Sequence, residues 1–376
     1  VEGLALQITV VSVLGVALSL MLLTVVVRLL ELFRRRRVER LLPTCRSEVL
    51  GFVVDGVPPR GSSRAERRLT VDLLLSHLSL LRGSEAETIT GYLERTGYID
   101  EQLRGLHARR ARTRVLAADA LGRARSPRAI PALAEAVLDP VEDVRLVAAR
   151  SLAVIGTEPA ARALATALSR PSRLAPRLAP AMVADDLVFV GRPAVPALLQ
   201  IARCGHAETA ATAARVLGEI RDPAATDVLV GLMRGAQTID VRAQAASALG
   251  KIGGGRSTYA LMRALDDDAW EVRAQAAKAL GRIGDRRAVP ALESAMPDAS
   301  WWVRVDCGEA LAALGEAGLE ALQRLTRSSD RYAAEQAESA LAAAMRRRPR
   351  PVQPVAPAPS REVEHTRTPQ SAQVAS

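Results

Sequence analysis

Two thirteen-residue stretches, VRAQAASALGKIG at Val241–Gly253 and VRAQAAKALGRIG at Val272–Gly284, are nearly the same sentence written twice. No other feature constrains the fold as strongly, because self-similarity at a fixed short period is the mark of a repeat architecture. The leucine of each "ALG" can be followed along the chain as Leu121, Leu152, Leu187, Leu217, Leu249, Leu280, Leu311 and Leu341, at spacings of 31, 35, 30, 32, 31, 31 and 30 residues. A unit of that length cannot bury its own apolar face, so each copy must stack on the next.

The clearest unit, Trp270–Pro297, reads as two helices. Val272, Ala276, Leu280 and Ile283 fall on one helical face, and Gly284-Asp285 ends the first helix. Ala288-Val289-Pro290 opens a second, which carries Leu292 and Met296 toward the same core. Proline is tolerated at a helix start because its missing N–H would be unpaired there, and it recurs at Pro131 and, one residue displaced, at Pro196. Asp139, Asp267 and Asp298, each five residues before a repeat valine, fall in the turn between units and suit helix N-termini. An aromatic content of 3% argues against a sheet protein or a large aromatic pocket. The expected fold is all-α, an α-solenoid over residues 111–345 with about seven repeats and a final helix.

The pattern D-x4-V-R-x2-A-A-x-A-L-G-x-I-G followed by D-x-R-A-V-P-A-L resembles the short HEAT repeats of the phycobilisome-lyase-like type. The match is strong at the units with Val144-Arg145, Val241-Arg242, Val272-Arg273 and Val303-Arg304, weaker at Leu121 and Leu217, and weakest at Leu187, where Pro171, Pro176 and Pro180 crowd the preceding segment. The resemblance implies a right-handed solenoid with the V-R helices on its concave face and a role in protein–protein contacts. Part of the family attaches or isomerises bilin chromophores, which leaves a chromophore lyase as an alternative.

Outside the array the sequence suggests four further segments. Gly3–Val27 carries no charge over 25 residues, and with its flank to residue 30 it reads as one transmembrane helix. A cleaved signal peptide fits less well, since the leading charge is Glu2 and no small-x-small site closes the run. Arg28 and Arg34, Arg35, Arg36 and Arg37 follow directly, a topology signal that would keep the solenoid cytoplasmic and the protein in the cell membrane. Residues 31–63 form a basic juxtamembrane segment and linker, broken at Gly51–Ser63, and residues 64–110 a helical cap for the array. In that cap Ser84-x-x-Glu87 reads as a capping box and Asp100 as the cap of the next helix. Residues 346–376, rich in Arg and Pro, lack the apolar content for a core and read as a disordered tail.

The net charge of +10 raises a nucleic-acid partner, but residues 111–345 hold 29 basic and 27 acidic side chains, so the excess lies in the flanks and nucleic acid is disfavoured. His77, His107, His206 and His365 are dispersed, and Cys204-x-His206 has no second pair to complete a metal site. Cys45, Cys204 and Cys307 show no C-x-x-C spacing. Gly253-Gly254-Gly255 follows a helix and lacks the Lys-Ser/Thr of a phosphate loop, and Asp266-Asp267-Asp268 starts no EF-type ligand series. No catalytic residue, metal or cofactor is therefore expected, nor a small-molecule substrate. Arg145, Arg242, Arg273 and Arg304 recur once per repeat and read as a structural ladder onto neighbouring turn aspartates, with a substrate-binding ladder as the alternative. Positions between the core ones, Gln244, Gln275, Lys278, Asp306 and Glu309, together with Trp270, Trp301 and Trp302, are the candidate partner-binding residues. The function these features suggest is a membrane-anchored scaffold that binds protein partners and organises a membrane enzyme complex.

Overall fold

The computed structural model describes the backbone of residues 2–61, 63–169 and 178–347, and the side chains of these except residues 2–17, 34, 169 and 347. Every regular element among the described residues is helical. The first is α1 (Glu2–Asp55), followed by α2 (Arg64–Leu78), α3 (Ser84–Arg95) and α4 (Tyr98–Leu106). Seven helix pairs come next: α5 (Ala111–Ala124) with α6 (Ile130–Ala136), α7 (Glu142–Ile155) with α8 (Glu158–Ser169), α9 (Pro180–Val190) with α10 (Val195–Cys204), and α11 (Ala207–Ile220) with α12 (Thr226–Gly235). The stack continues with α13 (Ile239–Ile252) and α14 (Gly255–Ala264), α15 (Trp270–Ile283) and α16 (Val289–Ser294), and α17 (Trp301–Ala313) and α18 (Glu316–Leu325), and closes on α19 (Arg331–Arg347).

One continuous core runs the length of the array, as expected when each unit buries its face on its neighbours. The repeat leucines from Leu121 to Leu311 are fully buried, whereas Leu341 in α19 is only partly so. Several first helices carry a glycine on the side facing the next, at Gly122, Gly218, Gly250 and Gly281. A Cβ added to Gly250 would lie 2.5 Å from the Ala279 Cβ, and one on Gly281 would lie 2.8 Å from the Ala310 Cα. Glycine after the repeat leucine thus receives the small residue before the next repeat leucine, and first helices pack with backbones close. Several second helices begin with a 3-10 turn, at Pro127–Ala129, Arg192–Ala194, Pro223–Ala225 and Arg286–Ala288. Asp222 and Asp285 fold these last two turns by accepting from the Ala224 and Arg287 N–H groups.

Several expectations are corrected. Among the described residues no helix is long and apolar enough to cross a membrane. The described side chains of α1 begin at Leu18, and the uncharged run from there stops at Val27, about 15 Å of helix against a hydrocarbon core of about 30 Å. The remainder of the expected span, residues 3–17, lies outside the described side chains. The membrane localisation, and with it the topological role given to Arg28 and Arg34–Arg37, is not retained. Arg28 and Arg35–Arg37 stand exposed on α1, which continues without a break through Pro43 to Asp55, so Gly51 is helical and no linker begins there. Ser84 is the first residue of α3 rather than its cap, and that helix has no side-chain cap bond. The capping box lies at Ser63 and Glu66 instead, where both reciprocal bonds are present. Asp100 lies inside α4, whose cap is Gly97, and its carboxylate pairs with Arg128 at 2.9 Å. The tail from residue 348 lies outside the described residues.

Candidate functional site

In two of the four V-R pairs, Arg242 and Arg273, the arginine works on two turns at once. Arg273 Nη1 donates to the Asp267 and Asp268 carbonyls of its own entry turn, at 2.7 and 3.1 Å. Its Nε and Nη2 form a fork onto the Asp298 carboxylate of the next turn, at 2.7 and 3.0 Å. Arg242 binds the Ala236 carbonyl and forks onto Asp267 in the same way. Each aspartate also accepts from the N–H two residues on, at Ala269 and Ser300. These bidentate, largely shielded pairs fix the angle between consecutive units as well as adding energy.

A third fork lies outside the four arginines named from the sequence. Arg114 binds Asp139 at 2.7 and 2.9 Å, although it follows threonine rather than valine. The signal that would have found it is the offset of 25 residues from arginine to aspartate, common to all three forks. Hydrogen bonding from Arg114 lowers the Asp139 pKa from its ordinary value. At Asp298 burial pushes the other way, but Arg273 and the Ser300 N–H outweigh it and the net direction is again down.

Arg145 and Arg304 make only half of this arrangement among the described residues. Both donate Nη1 to the two carbonyls of their own turn. For Arg145 the position at the common offset is Arg170, outside the described residues, and its buried Nε has no hydrogen-bond partner there. For Arg304 that position is Ser329, and no carboxylate closes the fork. Its guanidinium carbon instead lies 5.0 Å from the centre of the Tyr332 ring.

Around Arg304 the surface is aromatic. Trp301 and Trp302 meet edge to face with ring centres 4.7 Å apart, and they are 53% and 56% exposed. Tyr332, in the first turn of α19, is 63% exposed, and Trp270 occupies in α15 the position of Trp301 in α17. The other candidates are less available. Gln244 and Gln275 are half-buried. Lys278 pairs with Asp306 of the following helix at 3.7 Å, and burial raises the Asp306 pKa although Lys278 stands beside it. Glu309 is exposed, one turn further along α17 from Asp306. Among the described residues no group of three His, Cys, Asp or Glu side chains could hold a metal ion, and the three cysteines are unpaired.

The profile of HEAT repeats matches residues 100–181, 195–271 and 258–342, more than half of the sequence. The chain belongs to the HEAT-repeat family. HEAT arrays are helical scaffolds for protein interaction. The interruption between the first two matched segments coincides with the gap around residues 182–194, where the unit at Leu187 departs most from the pattern. Among solved structures, this HEAT chain is similar to an engineered protein at 21% identity, with 76% of this chain and 86% of that one covered and a TM-score of 0.34. It is similar also to human deoxyhypusine hydroxylase in complex with glycerol (22% identity, 68% and 99% covered, TM-score 0.29) and to importin beta (16% identity, 83% and 50% covered, TM-score 0.45). None of the curated proteins matches.

Proposed function

We propose that this HEAT array is a scaffold that binds a protein segment along its first-helix face, with the anchor at Trp301, Trp302, Arg304 and Tyr332. The repeats are of the short phycobilisome-lyase-like type, and Trp270, Gln244, Gln275, Lys278, Asp306 and Glu309 extend the surface along neighbouring units. The observation that carries the reading is the open fork of Arg304. In three other units a guanidinium in this position grips a carboxylate. Here no carboxylate of the described residues takes the fork, the guanidinium lies over the exposed Tyr332 ring, and the exposed Trp301–Trp302 pair opens the same helix. Arginine and tryptophan with this exposure are the residue types that dominate binding energy at protein interfaces. The partner's contribution is therefore an Asp or Glu side chain, or a chain-terminal carboxylate, next to an apolar group that covers the tryptophans.

The test uses the full chain as bait and compares partner recovery with two variants. Trp302→Ala removes an anchor, and Arg304→Lys keeps the charge but loses the planar fork. Each should weaken binding by roughly tenfold. Unchanged recovery with both would remove this end of the array from the function.

A further inference from the structure

An exposed apolar side chain opens each of three consecutive first helices. Ile239, Trp270 and Trp301 are the first residues of α13, α15 and α17, each two residues before the Val-Arg of its unit, and they are 44%, 41% and 53% exposed. These helices pack in sequence, α13 on α15 and α15 on α17, so the three positions form one ridge along the first-helix side. Trp302 and, in the first turn of α19, Tyr332 continue it. The repeat itself does not require such residues, since the same register holds Ala111, Glu142 and Ala207 in α5, α7 and α11. Exposed apolar side chains aligned in this way make a patch, and a patch of this kind marks an interaction site.

The ridge carries a pattern of charge. Asp240 and Glu271 directly follow Ile239 and Trp270, and Asp268 lies two residues before Trp270. None of the three forms an ion pair with another described residue, because Arg242 and Arg273 are taken by Asp267 and Asp298. At the α17 end the sign reverses, where Arg304 has no carboxylate among the described residues. Spacing adds a second constraint. Packed helices stand about 8–10 Å apart, and seven residues of α-helix rise about 10.5 Å. A helix laid along the ridge therefore brings one side chain to each unit at every seventh residue. An extended chain would press its backbone N–H and C=O groups against apolar side chains without partners, whereas a helix satisfies its own.

We infer that the segment bound by this array is an amphipathic α-helix with a large apolar residue at every seventh position, seated on Ile239, Trp270 and the Trp301–Trp302 pair. Lys or Arg beside the first two contacts meets Asp240, Asp268 and Glu271, and the carboxylate that meets Arg304 lies at the other end. The inference rests on the first-helix binding face proposed above and adds the partner's conformation, spacing and direction.

All three tryptophans of the chain lie on the ridge, so their fluorescence reports binding on the full-length protein. The probe is a synthetic tryptophan-free helical peptide with leucine at every seventh position, lysines at its first half and a glutamate at its end. It should shift the emission to the blue in a saturable way, and a peptide of the same composition with leucine at every fifth position should bind about tenfold more weakly or worse. Ile239→Ser, at an exposed helix start that leaves the tryptophans in place, should weaken binding by about threefold or more. Asp240→Lys with Glu271→Lys should weaken it by about tenfold, and a peptide with glutamates in place of the lysines should recover it. No saturable shift, equal binding of the two leucine spacings, or a concentration-dependent dimer abolished by Ile239→Ser would overturn the helix. Loss with Arg304→Lys and none with Ile239→Ser would overturn the ridge and leave the anchor at Arg304 standing, whereas the reverse pattern would remove that anchor and keep the ridge.

Discussion

The stretch from α11 to α18 and the stretch around α9 are built from the same unit but held together differently. In the first, glycine follows the repeat leucine at Gly218, Gly250 and Gly281 and receives Ala248, Ala279 and Ala310 of the next unit. At α7 and α9 the same positions hold Ala153 and Val188, and the residue facing Val188 from α11 by this rule is Val216. Side chains take the place of close backbone there. The clamps change as well. Where Arg242 and Arg273 fork onto shielded aspartates, α7 and α9 are tied by Arg150, which is bonded to Asp186 at 3.0 Å and stacked 4.2 Å over Phe189. Arg150 is mostly exposed, and burial raises the Asp186 pKa while the fork at Asp139 is lowered by Arg114. Among the described residues, the close glycine contacts and shielded forks of the regular units thus give way around α9 to side-chain packing and an exposed pair, beside the spacing of 35 residues that precedes Leu187.

The comparison can be broken most forcefully at a glycine. Gly281→Val forces a branched side chain into the Ala310 backbone and should cost about 2–3 kcal/mol, with fast exchange in α15 and α17. Valine already occupies the equivalent Val188, where Val188→Ala should cost no more than about 1 kcal/mol. A similar loss at both sites would show that the glycine contact has no special part in the packing.

A smaller effect separates the clamps. Arg273→Ala removes the fork from the Asp298 carboxylate, which keeps only the Ser300 N–H, and the donor from two turn carbonyls, and should cost about 2 kcal/mol, measured as a drop in the denaturant midpoint. Arg150→Ala, at a more exposed pair, should cost about 0.5–1 kcal/mol. Equal values would mean that solvent screens both clamps alike.

Much of this architecture was legible in the sequence because it follows from periodicity. The repeat leucines, the helix pair and the proline that opens second helices are all local patterns with a fixed spacing. The glycine contacts were legible in principle, since small residues flank each repeat leucine, but their purpose depends on a neighbour thirty residues away. Arg114 was missed because the motif was read as Val-Arg, whereas the bond depends on arginine and aspartate alone. Tyr332 carries no signal in the repeat pattern, because its place at this surface depends on a contact with Arg304, 28 residues away. The helix starts at Ser84 and Asp100 were misplaced because Gly83 and Gly97, both with positive φ, set those boundaries. At α1 an uncharged run suggested a span that the described residues do not support.

The most direct test of the scaffold reading is photo-crosslinking in the cells of origin. A benzoylphenylalanine replaces Trp302 in one full-length variant and Arg263, exposed on the second helix α14, in another. An adduct with a second protein from position 302 and none from position 263 is the predicted result. Adducts from position 263 alone, equal adducts from both, or none from position 302 would contradict it.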